Sequence, residues 1–161
     1  MNKILEKYFV DTYPKIFRDM YGDPKTTCMA WGCDCGNGWF ILLDSLCHRI
    51  QQHIDWRNKY LKEGEQPIPQ LVAHQIKEKF GQLRFYHEGG DDYCQALLDF
   101  AEDTSYYICE DCGASGKEVG RTTGWIQSFC TKCSKKNKRK ITYNKKLLDL
   151  LEKCEKNARN K

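Results

Sequence analysis

The stretch CEDCGASGKEVGRTTGWIQSFCTKC, residues 109–133, contains two C-x-x-C pairs separated by 17 residues. Each C-x-x-C turn presents two sulfurs from one tight loop, and a structural zinc ion takes four such soft ligands in a tetrahedron. The separation lies within the range that recurs in zinc ribbons and related fingers. Cys109, Cys112, Cys130 and Cys133 therefore predict one structural zinc ion in a module over 106–140.

The insert between the two pairs is rich in glycine. Gly113 stands where a knuckle turns with a positive φ angle, and Gly116 and Gly120 can shape a short hairpin. We predict that the second strand of this hairpin is GWIQSFC, 124–130, with Trp125, Gln127 and Phe129 on one face. A knuckle, a hairpin and a helix carrying the second pair would be treble-clef-like, whereas two knuckles on a three-stranded sheet would form a zinc ribbon. Both arrangements fit the sequence.

Charge is distributed unevenly along the 161 residues, whose formal net charge is +4. Residues 131–161 hold 12 Lys and Arg against 3 acids, which leaves 14 basic and 19 acidic residues in 1–130. A strongly basic tail is typical of an arm for nucleic acid or for an acidic protein surface. The alternative is a solvated helical face. One apolar stripe runs through 141–161 and predicts a basic amphipathic C-terminal helix; its members are Tyr143, Leu147, Leu150, Leu151 and Cys154.

The ten cysteines are the main evidence for the compartment. The first 17 residues are amphipathic and do not read as a secretion leader, and no apolar run approaches the roughly 20 residues that cross a bilayer. C-x-x-C pairs in a protein that is not secreted favour zinc over disulfides. We therefore expect a reducing, cytoplasmic setting with no membrane contact. The apolar fraction of 40% excludes wholesale disorder.

Residues 1–105 predict a small α+β body that begins with helices. Asn2 can cap a first helix, and Pro14 suits the first position of a second short helix containing Ile16, Phe17 and Met20. A long helix is predicted from Gly38, with Asn37 as its cap. Its apolar stripe consists of Trp39, Leu43, Leu46, Cys47, Ile50 and Ile54.

Residues 71–90 permit a helix ending at Gly81 or a β-hairpin reversing near Gly81. Alternation of Val72, His74 and Ile76, and then of Leu83, Phe85 and His87, favours the hairpin. A further helix is predicted from Asp91 or Asp92, because acids suit a helix N-terminus. Its predicted buried stripe is Tyr93, Leu97, Phe100 and Ala101. The fold class is thus a helical body with a β-hairpin, a zinc module and a terminal helix.

Cations and aromatic rings alternate in KEKFGQLRFY, 77–86. Both residue types occur again in the predicted zinc module, and the cations continue into SKKNKRK, 134–140. Proteins that bind single-stranded nucleic acid combine these residue types, although half-buried sheets mix them too. The candidate contacts for nucleic acid or a partner protein are Lys77, Lys79, Arg84, Arg121, Trp125, Phe129, Lys132, Lys135, Lys136, Lys138, Arg139 and Lys140.

Two other clusters are weaker candidates for metal binding. Cys28, Cys33, Cys35 and Cys47 could form a second metal site, but their spacing matches no common finger, and ordinary buried cysteines are the favoured interpretation. HEGGDD, 87–92, could hold a divalent cation through His87, Glu88, Asp91 and Asp92. The favoured alternative is a strand end, a glycine turn and a helix cap.

Four segments together resemble a group of short, uncharacterised proteins of phages and prophages: MAWGCDCGNGWFILLDSL, IKEKFGQLRFYHEGGDDY, SYYICEDCG and GWIQSFCTKC. The resemblance covers roughly residues 28–133 and implies a phage origin and one folding unit, without an activity. In this group an aromatic residue is more usual at position 33, which argues against a second zinc site. The basic tail lies outside the shared segment.

These observations support three functional hypotheses. The first is a non-enzymatic, phage-derived zinc protein that engages nucleic acid or a host complex that handles nucleic acid. The second is an inhibitor of a bacterial defence system, such as a CRISPR effector, that acts by occlusion. The third is a metal-dependent nuclease that uses the HEGGDD cluster. Sequence motifs of other enzyme classes, such as G-x-S-x-G and H-E-x-x-H, are absent.

Overall fold

Five α-helices and five short β-strands make up the described part of the computed structural model, residues 1–159 without the side chains of Leu147, Asn157 and Arg159. The α+β class is confirmed. The elements are α1 (Lys3–Thr12), α2 (Phe40–Lys59), β1 (Val72–Lys79), β2 (Gln82–Glu88), α3 (Asp92–Ser105), β3 (Val119–Thr122), β4 (Ser128–Cys130), α4 (Thr131–Lys136), β5 (Ile141–Thr142) and α5 (Lys145–Arg159). No helix among these residues is long and apolar enough to cross a membrane.

Helix α2 is the centre of the body, and its predicted apolar stripe is confirmed as buried. The predicted cap is wrong. A short 3-10 turn over Asn37–Trp39 precedes the helix, and Asn37 Oδ1 accepts a hydrogen bond from the backbone N–H of Asn2 at 2.7 Å. Asn37 therefore ties the start of the chain to the start of α2.

The N-terminal segment follows the prediction as far as Thr12. Asn2 caps α1 by accepting a hydrogen bond from the N–H of Ile4 at 2.8 Å. The predicted second helix is wrong, because residues 14–21 form successive turns. The carbonyl of Ile16 accepts from the N–H of Ala73 at 2.9 Å, so it is not available to a helical turn. Ile16 and Phe17 are buried nonetheless.

Strands β1 and β2 form the predicted antiparallel hairpin, which reverses at Phe80 and Gly81. Both turn residues have positive φ angles, 55° and 76°, as a two-residue type I′ turn requires. The predicted alternation fails at His74, because a bulge between Ala73 and Gln75 places Ala73 in the core instead. The hairpin thus presents its turn toward the C-terminal part of the chain, where Ser128 Oγ donates to the carbonyl of Gly81.

Helix α3 begins as predicted, with Asp91 Oδ1 accepting from the N–H of Cys94 at 3.0 Å. Half of the predicted stripe is confirmed, because Ala101 is buried and Leu97 packs against the core. Tyr93 and Phe100 are instead exposed, and Cys94 and Leu98 face the core. Contacts with the edge of β2 explain why α3 is rotated about its axis relative to the prediction. Two side chains of the helix, those of Glu102 and Ser105, accept hydrogen bonds from the N–H groups of Phe85 and Leu83.

The C-terminal part contains a three-stranded antiparallel sheet in the order β4-β3-β5. Strand β4 is shorter than predicted, so Trp125 and Gln127 lie in the loop before it and share no strand face with Phe129. Helix α5 confirms a terminal helix, but it begins at Lys145, because Ile141–Thr142 form β5 and Tyr143 precedes the helix. The predicted last residues, 160 and 161, lie outside the described part. Its apolar stripe is only partly covered, since Leu151 is half-buried and Leu150 is exposed.

Candidate metal centre

The sulfur atoms of Cys109, Cys112, Cys130 and Cys133 all lie within 4.8 Å of one another. The Cys112 and Cys130 sulfurs are 3.7 Å apart. A tetrahedron with metal–sulfur bonds of about 2.3 Å has sulfur–sulfur edges of about 3.8 Å, so this pair already stands at the separation that one ion would need. Three of the four cysteines are buried, and Cys112 is exposed. The geometry therefore supplies a closed set of four soft ligands for one metal ion.

The local backbone structure places both C-x-x-C pairs around one point. After the first pair, the N–H of Gly113 donates to the carbonyl of Cys109 at 2.8 Å, and Gly113 has the positive φ angle, 79°, expected for a knuckle. Cys130 ends β4 and caps α4, and its sulfur accepts from the N–H of Cys133 at 3.4 Å. The second pair thus enters a helix, whereas the first pair lies in a turn.

The thiols of the centre differ in acidity. Burial raises the pKa of Cys109 and of Cys133 above the ordinary value. Burial also acts on Cys130, but the N–H and thiol of Cys133 outweigh it and lower the pKa of Cys130. A divalent cation at the centre would favour the thiolate form of all four residues, since only thiolates bind it.

The centre is fixed to the body by a glycine loop whose role the sequence did not reveal. The N–H of Gly38 donates to the carbonyl of Glu110 at 2.7 Å, and the N–H of Gly36 donates to Glu110 Oε1 at 3.0 Å. A Cβ atom on either glycine would overlap the carbonyl oxygen of Cys109 or Glu110. Trp39 adds a hydrogen bond from Nε1 to the carbonyl of Ile108 at 3.1 Å. Body and module therefore share one backbone interface.

Three of the predicted contact residues instead make contacts within the fold. Phe129 is only 6% exposed and packs beside the cysteines. The guanidinium of Arg121 lies 3.3 Å from the centroid of the Tyr106 ring and donates to Ser128 Oγ, and burial lowers its pKa. Arg84 forms an ion pair with Glu102 at 3.2 Å. These side chains are occupied within the fold.

The remaining cationic candidates keep accessible positions. Residues 132–140, called the basic segment below, follow Cys130 through α4 and out of it, and their six cations are exposed. One of them, Lys136, lies 3.6 Å from Asp111 inside the first pair. Lys79 is exposed, Lys77 is half-buried, and Trp125 is 68% exposed. The six cations of the basic segment are Lys132, Lys135, Lys136, Lys138, Arg139 and Lys140.

The second predicted cysteine site does not assemble. Cys28, Cys33, Cys35 and Cys47 form no metal-binding group within residues 1–159. Cys33, Cys35 and Cys47 are buried in the body, and burial raises the pKa of each thiol. They are core cysteines, as the spacing favoured.

The HEGGDD residues also have separate roles. Glu88 pairs with Arg18 at 2.7 Å, and His87 contacts Gln95 at 3.2 Å. Asp91 caps α3, and its carboxylate lies 2.8 Å from His53 Nε2. His53, Asp91 and Cys94 form a second compact group of residue types that can bind metals. Capping and the direct hydrogen bond account for Asp91, and its pKa is lowered because these bonds outweigh burial. The four residues proposed for a nuclease are not gathered around one point.

No protein-family model, curated protein or solved structure matches this chain. The resemblance to short phage and prophage proteins therefore stays a prediction.

Proposed function

We propose that this chain is a non-enzymatic zinc protein of phage origin that binds nucleic acid through the basic segment beside its metal centre. The observation that carries the proposal is the position of this segment: it begins within the turn between two metal ligands and leaves the module with every cation exposed. The metal centre then serves to hold this charged surface in a defined place.

Zinc is the metal that the ligand set favours. Four cysteines leave no open coordination position, and closed four-cysteine sites of this kind are structural zinc sites. The order of elements supports a treble-clef-like module: a knuckle at Cys109 and Cys112, the β3–β4 hairpin, and α4 carrying the second pair. Such a site supplies stability and not catalysis, in agreement with a binding protein.

Charge supports nucleic acid as the partner. Within residues 1–159, five of the six cations in the basic segment form no ion pair, and the sixth is Lys136 with Asp111. Unpaired, exposed lysines at this density attract phosphates and release their counterions on binding. Residues 1–130 carry the opposite net charge, so the attraction is confined to one region of the molecule.

The salt dependence of binding tests the proposal. Fluorescence anisotropy with labelled single- and double-stranded oligonucleotides would measure the dissociation constant between 50 and 200 mM salt, a range over which phosphate binding weakens steeply. A variant with Lys135, Lys136, Lys138 and Lys140 replaced by Ala should lower the slope of log K against log salt by about 3, because each lost phosphate contact removes about 0.7 to 0.9.

A matched variant controls for net charge. It replaces four exposed lysines of the body, Lys7, Lys25, Lys59 and Lys62, with Ala and should keep the wild-type slope. Absence of binding to any oligonucleotide, or an equal loss of slope in both variants, would overturn the proposal.

A further inference from the structure

A cavity of about 650 Å³ lies where the hairpin turn, the loop before β4 and the knuckle meet. Its walls include Lys77, Lys79, Phe80, Glu110 and Trp125. The size is within the range of small-ligand sites, about 300 to 1,000 Å³. The cavity therefore lies between the body, which contributes Met1, Asp34 and Cys35 as well as the hairpin, and two elements of the zinc module.

Glu110 supplies a buried acceptor to this cavity. The residue is 6% exposed, and its Oε1 accepts from Gly36. The side-chain amide of Gln127 lies nearby, but no donor within residues 1–159 meets hydrogen-bonding geometry at Oε2. A buried carboxylate oxygen without a donor destabilises the fold. A group of this kind, placed in the wall of a cavity, indicates a ligand that brings its own donor.

Phe80 places an exposed ring at the same cavity, and the backbone of Phe80 adopts an unfavourable conformation. Its φ angle is 55°, at a turn position where Asn, Asp or Gly is preferred, and a bulky residue there is a conformational outlier. Its ring is 69% exposed, so no packing in the body explains the choice of residue. Trp125, on the loop before β4, is equally exposed. The two rings are suited to stacking against a flat ligand.

The charged groups around the cavity limit the choice of ligand. Asp34 and Glu78 lie in its wall together with Glu110, and Lys77 and Lys79 stand beside them. A cationic side chain of a protein partner would meet the acids and rings favourably but would be repelled by the two lysines. A nucleotide can use the lysines, the rings and Glu110, because its phosphates contact lysines, its base stacks on rings, and its base edge donates to a carboxylate.

We propose that this cavity binds one unpaired guanine base of a single strand. The N1–H and N2–H groups of guanine are adjacent donors that match an unpartnered acceptor such as Glu110 Oε2. In adenine and cytosine the amino donor stands next to a ring acceptor, N1 or N3, which would face the carboxylate unfavourably. The proposal rests on the nucleic-acid binding proposed above and adds to it a base preference that the basic segment cannot supply, since phosphate contacts carry no sequence information.

Short oligonucleotides test this preference. Fluorescence anisotropy would compare a nine-residue oligothymidine with three versions that carry one central guanine, adenine or cytosine. Wild-type protein should bind the guanine version about tenfold more tightly than the others, in line with one additional hydrogen bond. In Glu110→Gln an amide NH₂ replaces Oε2 and faces the guanine donors, so the preference should disappear. Oε1 still accepts from Gly36, and zinc content and circular dichroism would verify the fold.

The outcomes separate this inference from the proposed function. If wild-type protein binds all four oligonucleotides equally, the guanine site is wrong and the nucleic-acid function stands. If it binds none, both are wrong. A guanine preference that persists in Glu110→Gln would contradict the role of Glu110, and displacement of bound oligonucleotide by an arginine peptide only in the wild type would assign the cavity to a cationic partner. Ala replacement of Lys135, Lys136, Lys138 and Lys140 should weaken all four complexes and leave the guanine ratio unchanged.

Discussion

The body and the zinc module are stabilised in different ways. The body has one cluster of 22 buried hydrophobic residues, whereas the module has a cluster of four, of which three are metal-type cysteines. Burial of apolar area contributes about 25 cal/mol per Å², so the large cluster can hold the body while the small one cannot hold the module. We therefore expect the module to depend on a bound metal ion and on its interface with the body.

Loss of the metal should have the largest effect and should separate the two regions. Metal binding to such modules is worth on the order of 10 kcal/mol or more. In Cys133→Ser, or after chelation of the wild type, we expect residues 106–143 to lose their protection from hydrogen exchange, because no apolar core replaces the ion. The body should keep its protection, since its cluster is intact. Hydrogen exchange with mass spectrometry would measure both.

Cys28→Ser is the matched control for this prediction, because Cys28 is exposed and belongs to no metal-binding group of the described residues. It should leave protection unchanged throughout. Equal loss of protection in body and module after chelation would show that the two regions form one cooperative unit.

Gly38→Ala should have the next largest effect, because Gly38 lies at the interface between the two regions. The added Cβ would overlap backbone atoms of Cys109, Glu110 and Gly113, which cannot move as a flexible side chain can. We expect a loss of more than about 3 kcal/mol in the free energy of unfolding, as for other overpacked sites. Chemical denaturation would measure it.

Gly64→Ala provides the comparison, since a Cβ there meets no atom within 4 Å and only the positive φ angle, 86°, opposes it. Its expected loss is about 1 kcal/mol. A loss in Gly38→Ala as small as this would mean that the glycine loop is not a tight interface.

Glu6 tests how the body tolerates a buried charge. Burial alone would raise the pKa of Glu6, but hydrogen bonds from Lys3, Tyr21 and the N–H of Cys33 outweigh it and hold the pKa below 4.5. Because the folded pKa is depressed, the stabilisation is present above pH 4.5 and is lost as pH falls through the folded pKa. Glu6→Gln should therefore cost about 2 kcal/mol at pH 7, and this cost should shrink as pH falls below 4.5 through the folded pKa. Urea denaturation across this pH range would measure the difference.

A cost of Glu6→Gln that does not change with pH would contradict this account of the carboxylate. Lys7→Gln, which removes only the exposed pair with Asp11, is the control and should change stability by less than about 0.5 kcal/mol.

Phe80→Asn should have the smallest effect on stability and the opposite sign. Asn adopts positive φ angles more readily than Phe, so the turn should gain up to about 1 kcal/mol while the oligonucleotide complexes weaken. Thermal unfolding and anisotropy would measure the two changes together. Stabilisation with unchanged binding would show that the Phe80 ring does not contact the ligand.

The elements that follow one local rule were predictable from sequence. The α2 stripe, the Asn2 and Asp91 caps, the hairpin turn at Gly81 and the four-cysteine group all depend on short-range spacing. The failures come from long-range contacts. The carbonyl of Ile16 bonds to Ala73, and Glu102 bonds to β2, so one helix is lost and another is rotated. Spacing carries no information about such partners.

The candidate site also combines features that local spacing predicts with features that depend on long-range contacts. The ligands and the exposed basic segment follow from the C-x-x-C pairs and the charge distribution, whereas Phe129 is buried and Arg121 is half-buried. The glycines at 36 and 38 and the acid at 110 were missed, because their roles appear only when the glycine loop meets the knuckle. The short spacing between the glycines at 36 and 38 was the one available signal that two backbone segments approach closely there.

The metal content of the intact chain tests the central claim most directly. Native mass spectrometry of the protein as purified should show one zinc ion per chain, which is absent in Cys109→Ser and Cys133→Ser and retained in Cys28→Ser and Cys94→Ser. A folded wild-type chain without metal, or with a disulfide between two of the four cysteines, would contradict the claim that zinc holds the basic segment in place.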